Sequence, residues 1–136
     1  MSIDASRTIH GSKGKILIDG EWQTNLTSCE ADVEMDKKEV NVLGDDWTRY
    51  KRGTKKGTGT MTGYKVTSQM IERGFEKFEI ISALEDPEAY GHERIRLMNC
   101  MADKLKLINM KVNELVEEET PFTYEGYELL DPIKAE

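Results

Sequence analysis

The apolar positions of this chain recur mostly at every second residue, the spacing of a β-strand with one buried face. The pattern is clearest where Cys29, Ala31, Val33 and Met35 alternate with Ser28, Glu30, Asp32, Glu34 and Asp36. A helix would scatter those carboxylates around its circumference, whereas a strand gathers them on one acidic face. Lys37 and Lys38 interrupt the alternation, and Glu39-Val40-Asn41-Val42 resumes it with the phase shifted. Upstream, Lys15-Ile16-Leu17-Ile18 predicts a strand, Asp19-Gly20 a tight hairpin turn, and Glu21 to Thr24 the returning strand.

Further strands are predicted over Thr58 to Thr67 (with Met61, Tyr64 and Val66) and over residues 79–84, ending at Asp86-Pro87. Glu93 to Cys100 sets Ile95 and Leu97 against Arg94 and Arg96; Leu105, Leu107, Met110 and Val112 continue the β reading. A last element, Pro121 to Leu130, carries Phe122, Tyr124 and Tyr127 and is closed by Pro132. Only one stretch has helical spacing. Ile71, Phe75 and Phe78 lie at i, i+4 and i+7 behind Ser68, a suitable N-cap, which predicts about three turns. Residues 1–13 are polar and unpatterned, an arm expected to order only against a partner. Gly44 to Gly59 reads as a long polar loop, with Trp47, Tyr50 and five cations (Arg49, Lys51, Arg52, Lys55, Lys56). The fold class is therefore mainly β: a small antiparallel sandwich or partly closed barrel with one flanking α-helix.

Composition narrows the function. The 136 residues suit one domain, and a net charge of −7 argues against a protein that grips nucleic acid by its phosphates. No apolar run is long enough for a membrane span, and residues 1–11 show no secretory signal pattern. Cys29 and Cys100 are then expected as free thiols in a reducing cytoplasm.

Candidate chemistry is sparse. His10 and His92 fall in a predicted arm and loop, and pairing His92 with either cysteine as base and nucleophile is far less favoured than a solvated histidine near core thiols. There is no Cys-x-x-Cys, His-x-x-x-His or calcium-loop spacing, and Glu117-Glu118-Glu119 on a strand would point to opposite faces. Gly53-Thr54-Lys55-Lys56-Gly57-Thr58-Gly59 lacks the Gly-Lys-Ser/Thr ending and the following helix of a phosphate loop. No catalytic, cofactor or metal site is expected. What stands out is a cationic segment on an acidic body, which together suggest docking of one copy on another, helped by open strand edges.

Four stretches carry a resemblance: Gly11 to Glu21, Cys29 to Gly44, Lys51-Arg-Gly-Thr-Lys-Lys-Gly-Thr-Gly-Thr60 with Tyr64 to Ser68, and Glu118-Glu-Thr-Pro-Phe-Thr-Tyr-Glu-Gly-Tyr127. In order and spacing they resemble the tail tube proteins of contractile-tailed phages, in particular the PBSX-like group of prophages and phage-derived bacteriocins. The resemblance implies a virion structural protein assembled in the host cytoplasm. Its subunits would form hexameric rings whose inner sheets join into one barrel, and the rings would stack into the hollow tube of a contractile tail. On that pattern Gly44 to Gly59 becomes the inter-ring contact loop, with Trp47, Arg49, Tyr50, Lys51, Arg52, Lys55 and Lys56. Glu30, Asp32, Glu34 and Asp36 become a lumen or assembly face. Implied partners are further copies, a sheath, tape measure, baseplate and tail terminator proteins, and DNA in passage. Two rivals are a β-sandwich module binding a sugar or peptide on an aromatic platform (Trp22, Trp47, Tyr50) and a type VI-like tube ring protein.

Overall fold

The computed structural model describes residues 3–134. Eight strands and one short helix follow in order: β1 (Gly14–Ile18), β2 (Glu21–Trp22), β3 (Leu26–Val40), β4 (Arg49–Tyr64), α1 (Gln69–Arg73), β5 (Phe78–Leu84), β6 (Glu93–Ala102), β7 (Glu117–Tyr124) and β8 (Gly126–Asp131). All pairings are antiparallel, in the order β2-β1-β5-β6-β7-β4-β3, with β8 added to β6. The sheet does not close on itself.

It folds over at β6. The first part of that strand pairs with β5 and β8, whereas Met101 and Ala102 pair with β7. Asn99 takes a left-handed conformation (φ 54°) at the corner, and its amide donates to Glu125 Oε2 at 3.3 Å. The Glu125 N–H, between β7 and β8, donates to Met98 O at 2.9 Å. Both chains therefore change layers at one place. Between the layers lie Ile18, Met61, Phe78, Ile80, Leu97, Cys100, Phe122 and Tyr124.

The threonine-glycine alternation of β4 is explained by its neighbour. Gly57 lies opposite Tyr124 and Gly59 opposite Phe122, so both rings lie across positions without side chains. Thr58 and Thr60 take the other face. The Tyr124 hydroxyl reaches across to donate to Asp32 O on β3 at 2.7 Å, which locks the three strands at that level.

Several expectations are corrected. Gly44 to Gly59 is not one long loop: the connection is residues 41–48, and Arg49 to Gly59 belongs to β4, paired residue by residue with β3. Glycines and cations hid a strand whose partner, not its own propensity, holds it extended. The phase shift at Lys37-Lys38 is a β-bulge between Met35 and Lys37, where Gly53 and Thr54 together face Asp36. The three-turn helix shrinks to Gln69–Arg73, because Gly74 turns the chain at φ 62° and Phe78 enters β5 as core. Ser68 holds the N-cap position without a side-chain hydrogen bond. The β reading of Leu105 to Val112 fails, since residues 104–116 form no strand. Pro121 to Leu130 splits into β7 and β8.

The arm also differs. Of residues 1–13, the first two lie outside the described residues, and the rest stays largely exposed but is tied to the chain's own body at Arg7, His10 and Lys13. The His10 N–H donates to Asp86 Oδ2 at 3.1 Å, Arg7 Nη1 to Glu88 O at 2.9 Å, and the Arg7 guanidinium lies 4.9 Å from the Tyr90 ring centre. The backbone N–H groups of His10 and Glu88 hold the Asp86 carboxyl below its usual pKa.

The glycine–aromatic contact is testable. A Cβ on Gly59 would sit 2.5 Å from Glu30 O and from the Phe122 ring. Gly59→Ala should lower unfolding stability by about 1–3 kcal/mol, the range for overpacking a core. The urea midpoint measures this; an unchanged midpoint would show that the rings do not depend on that gap.

Candidate assembly surfaces

β4 pairs with β7 only as far as Gly57, opposite Tyr124. Beyond that level β3 and β4 continue alone, from Glu34 opposite Lys56 to Val40 opposite Arg49. The seven β3 residues from Glu34 to Val40 span about 24 Å at roughly 3.4 Å each, so a two-stranded ribbon projects from the body.

Register fixes what each ribbon face presents. Glu34 and Lys56 face each other, a favourable pair, but Lys37 lies opposite Arg52 and Lys38 opposite Lys51. Like charges directly opposite on neighbouring strands destabilise the pairing. Asp36 offsets part of this through its 3.1 Å ion pair with Lys38. At the tip, Arg49 Nε meets Asp45 Oδ2 at 3.0 Å, and the Trp47 N–H and Arg49 together hold the Asp45 carboxyl below its usual pKa. Among the described residues, Lys37, Lys51, Arg52, Lys55 and Lys56 have no carboxylate within ion-pair reach. Residues 36–56 carry seven lysines and arginines against four carboxylates, on a chain of net charge −7. The tip is also apolar: Leu43 is wholly exposed, Trp47 is 75% exposed, and Val42 and Tyr50 are exposed beside them.

The expected contact residues are thus brought together, on an extended ribbon rather than a loop. Trp47 lies in the turn, while Arg49, Tyr50, Lys51, Arg52, Lys55 and Lys56 lie on β4. The acidic set is gathered too. Glu30 pairs with Thr60 and Asp32 with Thr58 on the face away from the core, and Glu34 and Asp36 extend the row onto the ribbon. Thr123 and Glu119 of β7 continue that face, opposite Thr58 and Thr62. The result is a broad sheet surface of threonines and carboxylates.

At the other end of the same strands lies a surface that the sequence reading did not single out. Tyr64, Glu117, Leu115, Glu114 and Asn109 line one cleft there. Asn109 Nδ2 donates to Glu117 O at 3.1 Å and the Lys65 N–H to Val116 O at 2.8 Å, tying segment 104–116 to the ends of β4 and β7. Ile108, Met110, Val112, Leu115 and Val66 are exposed here. The alternation of lysines with apolar residues in 104–112 looked like a strand; with no partner strand beside it, its apolar side chains face solvent.

Among the described residues no side chains converge for catalysis. Cys29 and Cys100 are free, and burial pushes both thiols up to about 11, away from reactive thiolates. His92 is exposed ahead of β6. Among the described residues no group of three or more His, Cys, Asp or Glu side chains is placed to hold a metal ion. No helix among the described residues is long and apolar enough to cross a membrane. The aromatic platform of a ligand-binding module is not assembled either. Trp22 lies on β2 with Lys15 Nζ 4.9 Å from its ring centre, beside the Leu26 end of β3, whereas Trp47 and Tyr50 sit at the opposite end of that strand.

Comparison with known proteins agrees with this absence of a reactive centre. The family model described as "Phage tail tube protein" matches residues 1–131. The phage-like element PBSX protein XkdM of Bacillus subtilis (strain 168) is 34% identical over 143 residues, covering 98% of this chain and 97% of that protein. Among solved structures, the tube-terminating cap of the anti-feeding prophage superposes with a TM-score of 0.74 at 13% identity, over 97% of this chain and 95% of that one. A chain from the tail of an empty gene transfer agent particle, refined with C6 symmetry, gives 0.68 at 14% identity, over 91% and 100%. This chain belongs to the phage tail tube protein family.

Proposed function

We propose that the chain forms hexameric rings that stack head to tail into the hollow inner tube of a contractile tail. The ribbon and its tip bridge successive rings. The observation that carries this reading is the ribbon itself, an unsupported pair of strands with like charges opposed and an exposed apolar tip. Isolated two-stranded hairpins are marginal in water, so this one calls for a second body to pack on. A head-to-tail contact that does not close generates a filament, while lateral contacts that close generate a ring.

The ring contacts draw on strand edges left free within the subunit. Among the described residues β3 pairs only with β4, and β8 only with β6. Tyr127 and Leu129 on β8 are each 51% exposed. Sheet continued from one subunit to the next would satisfy those main-chain groups and cover those side chains. The threonine-carboxylate face, with Glu30, Asp32, Glu34 and Asp36, then lines the channel, where negative charge keeps DNA phosphates from binding. The sheath surrounds the tube, the tape measure occupies it during assembly, and baseplate and terminator proteins cap its two ends.

Electron microscopy of the concentrated protein tests the assembly: rings or tubes of one uniform width are expected, and deletion of residues 48–56 should leave rings that do not lengthen. Featureless aggregates from the intact protein, or full-length tubes from the deletion, would contradict it. Replacing Glu30 and Asp32, the carboxylates of this face that lie on the body and not on the ribbon, by lysine tests the channel assignment. DNA release from the particles should slow while tube length stays unchanged; release at the normal rate would place those carboxylates elsewhere.

A further inference from the structure

The stacking just proposed requires the ribbon to land somewhere, and on that reading we infer that its tip seats on the opposite pole of the next copy. The receiving surface is segment 104–116 with the adjoining ends of β4 and β7, where Val66, Met110, Val112 and Leu115 meet Trp47 and Leu43. The antiparallel pairing of β3, β4 and β7 sets the two surfaces at opposite ends of one sheet. Copies stacked along the strand direction therefore bring one against the other without rotating either subunit.

Three features favour this occupant. Both surfaces are apolar and exposed within the subunit: Val112 is 88% exposed, against 75% for Trp47. Exposed apolar groups gathered at two separate ends mark contact surfaces rather than scattered surface residues. Charge also discriminates. Tip-to-tip contact would set Lys37, Lys38, Lys51 and Arg52 against their own copies, a repulsive arrangement. The opposite pole instead offers Glu114 and Glu117, which line the cleft there. Finally, the Asn109–Glu117 and Lys65–Val116 hydrogen bonds hold segment 104–116 against the ends of β4 and β7, while Met110 and Val112 stay exposed and available to an incoming tip.

Cysteine pairing tests the assignment in assembled tubes. A chain carrying both Trp47→Cys and Val112→Cys should, on mild oxidation, give a reducible ladder of covalent multimers in non-reducing gels. Either single variant should stay monomeric in a Cys29→Ser background, which removes the half-buried native thiol while Cys100 is buried. Leu43→Cys with Met110→Cys serves as a second pair should the first prevent assembly, and microscopy of each sample records whether tubes are present. Tubes without a ladder from either pair, or a Trp47→Cys single variant that links to itself, would overturn the inference while leaving the stacked tube intact. If wild-type protein forms no tubes, the stacking reading fails first. If wild type assembles but both double variants do not, charge exchange decides. Glu114→Lys with Glu117→Lys should restore tubes to a subunit weakened by Lys37→Glu with Arg52→Glu, and failure to restore them would also overturn the inference.

Discussion

A pair of strands standing free of any second layer can exclude water from neither face, and that constraint organises this molecule. Within the body, β3 and β4 are one half of a sandwich: Met61 and Cys29 face the core, Tyr124 and Phe122 lie over Gly57 and Gly59, and the Tyr124 hydroxyl holds the Asp32 carbonyl. One residue further along, the support ends. The same two strands run on as a ribbon bonded only to each other, with open outer edges and side chains that have nothing of their own to pack on. Folding of the subunit leaves that part unfinished, and assembly completes it.

The opposed like charges sharpen the point. An isolated subunit gains nothing from facing Lys37 with Arg52 and Lys38 with Lys51. Such pairs repel the ribbons of other copies. Specificity for a partner surface of the opposite sign then comes from the same residues that weaken the lone subunit. Contact with the next copy restores both the apolar cover and the charge balance.

Much of this was legible in the chain. The alternation at 28–36 placed the acidic residues on one face, and Asp19-Gly20 marked its turn, where both residues take positive φ. The resemblance carried by the Gly11, Cys29, Lys51 and Glu118 stretches agrees with the family match. What escaped was what depends on partners distant in sequence. Gly53 to Gly59 has the composition of a loop and is a strand because β3 lies along all of it, with β7 on its other side from Gly57 onward. Residues 104–112 have the alternation of a strand and lack a neighbour to pair with. Gly74 cut the helix short, although the spacing of Ile71, Phe75 and Phe78 had suggested three turns. The polar arm gave no sign that Asp86 would hold His10.

Hydrogen exchange on the backbone amides of residues 34–40 and 49–56, compared between dilute subunits and assembled tubes, addresses the central claim most directly. These amides should exchange orders of magnitude faster in the free subunit than those of the body strands Met61, Phe122 and Ile80 occupy, and become protected to a similar degree in the tube. Protection already present in the free subunit, or none gained on assembly, would show that the ribbon does not depend on a second copy for its structure.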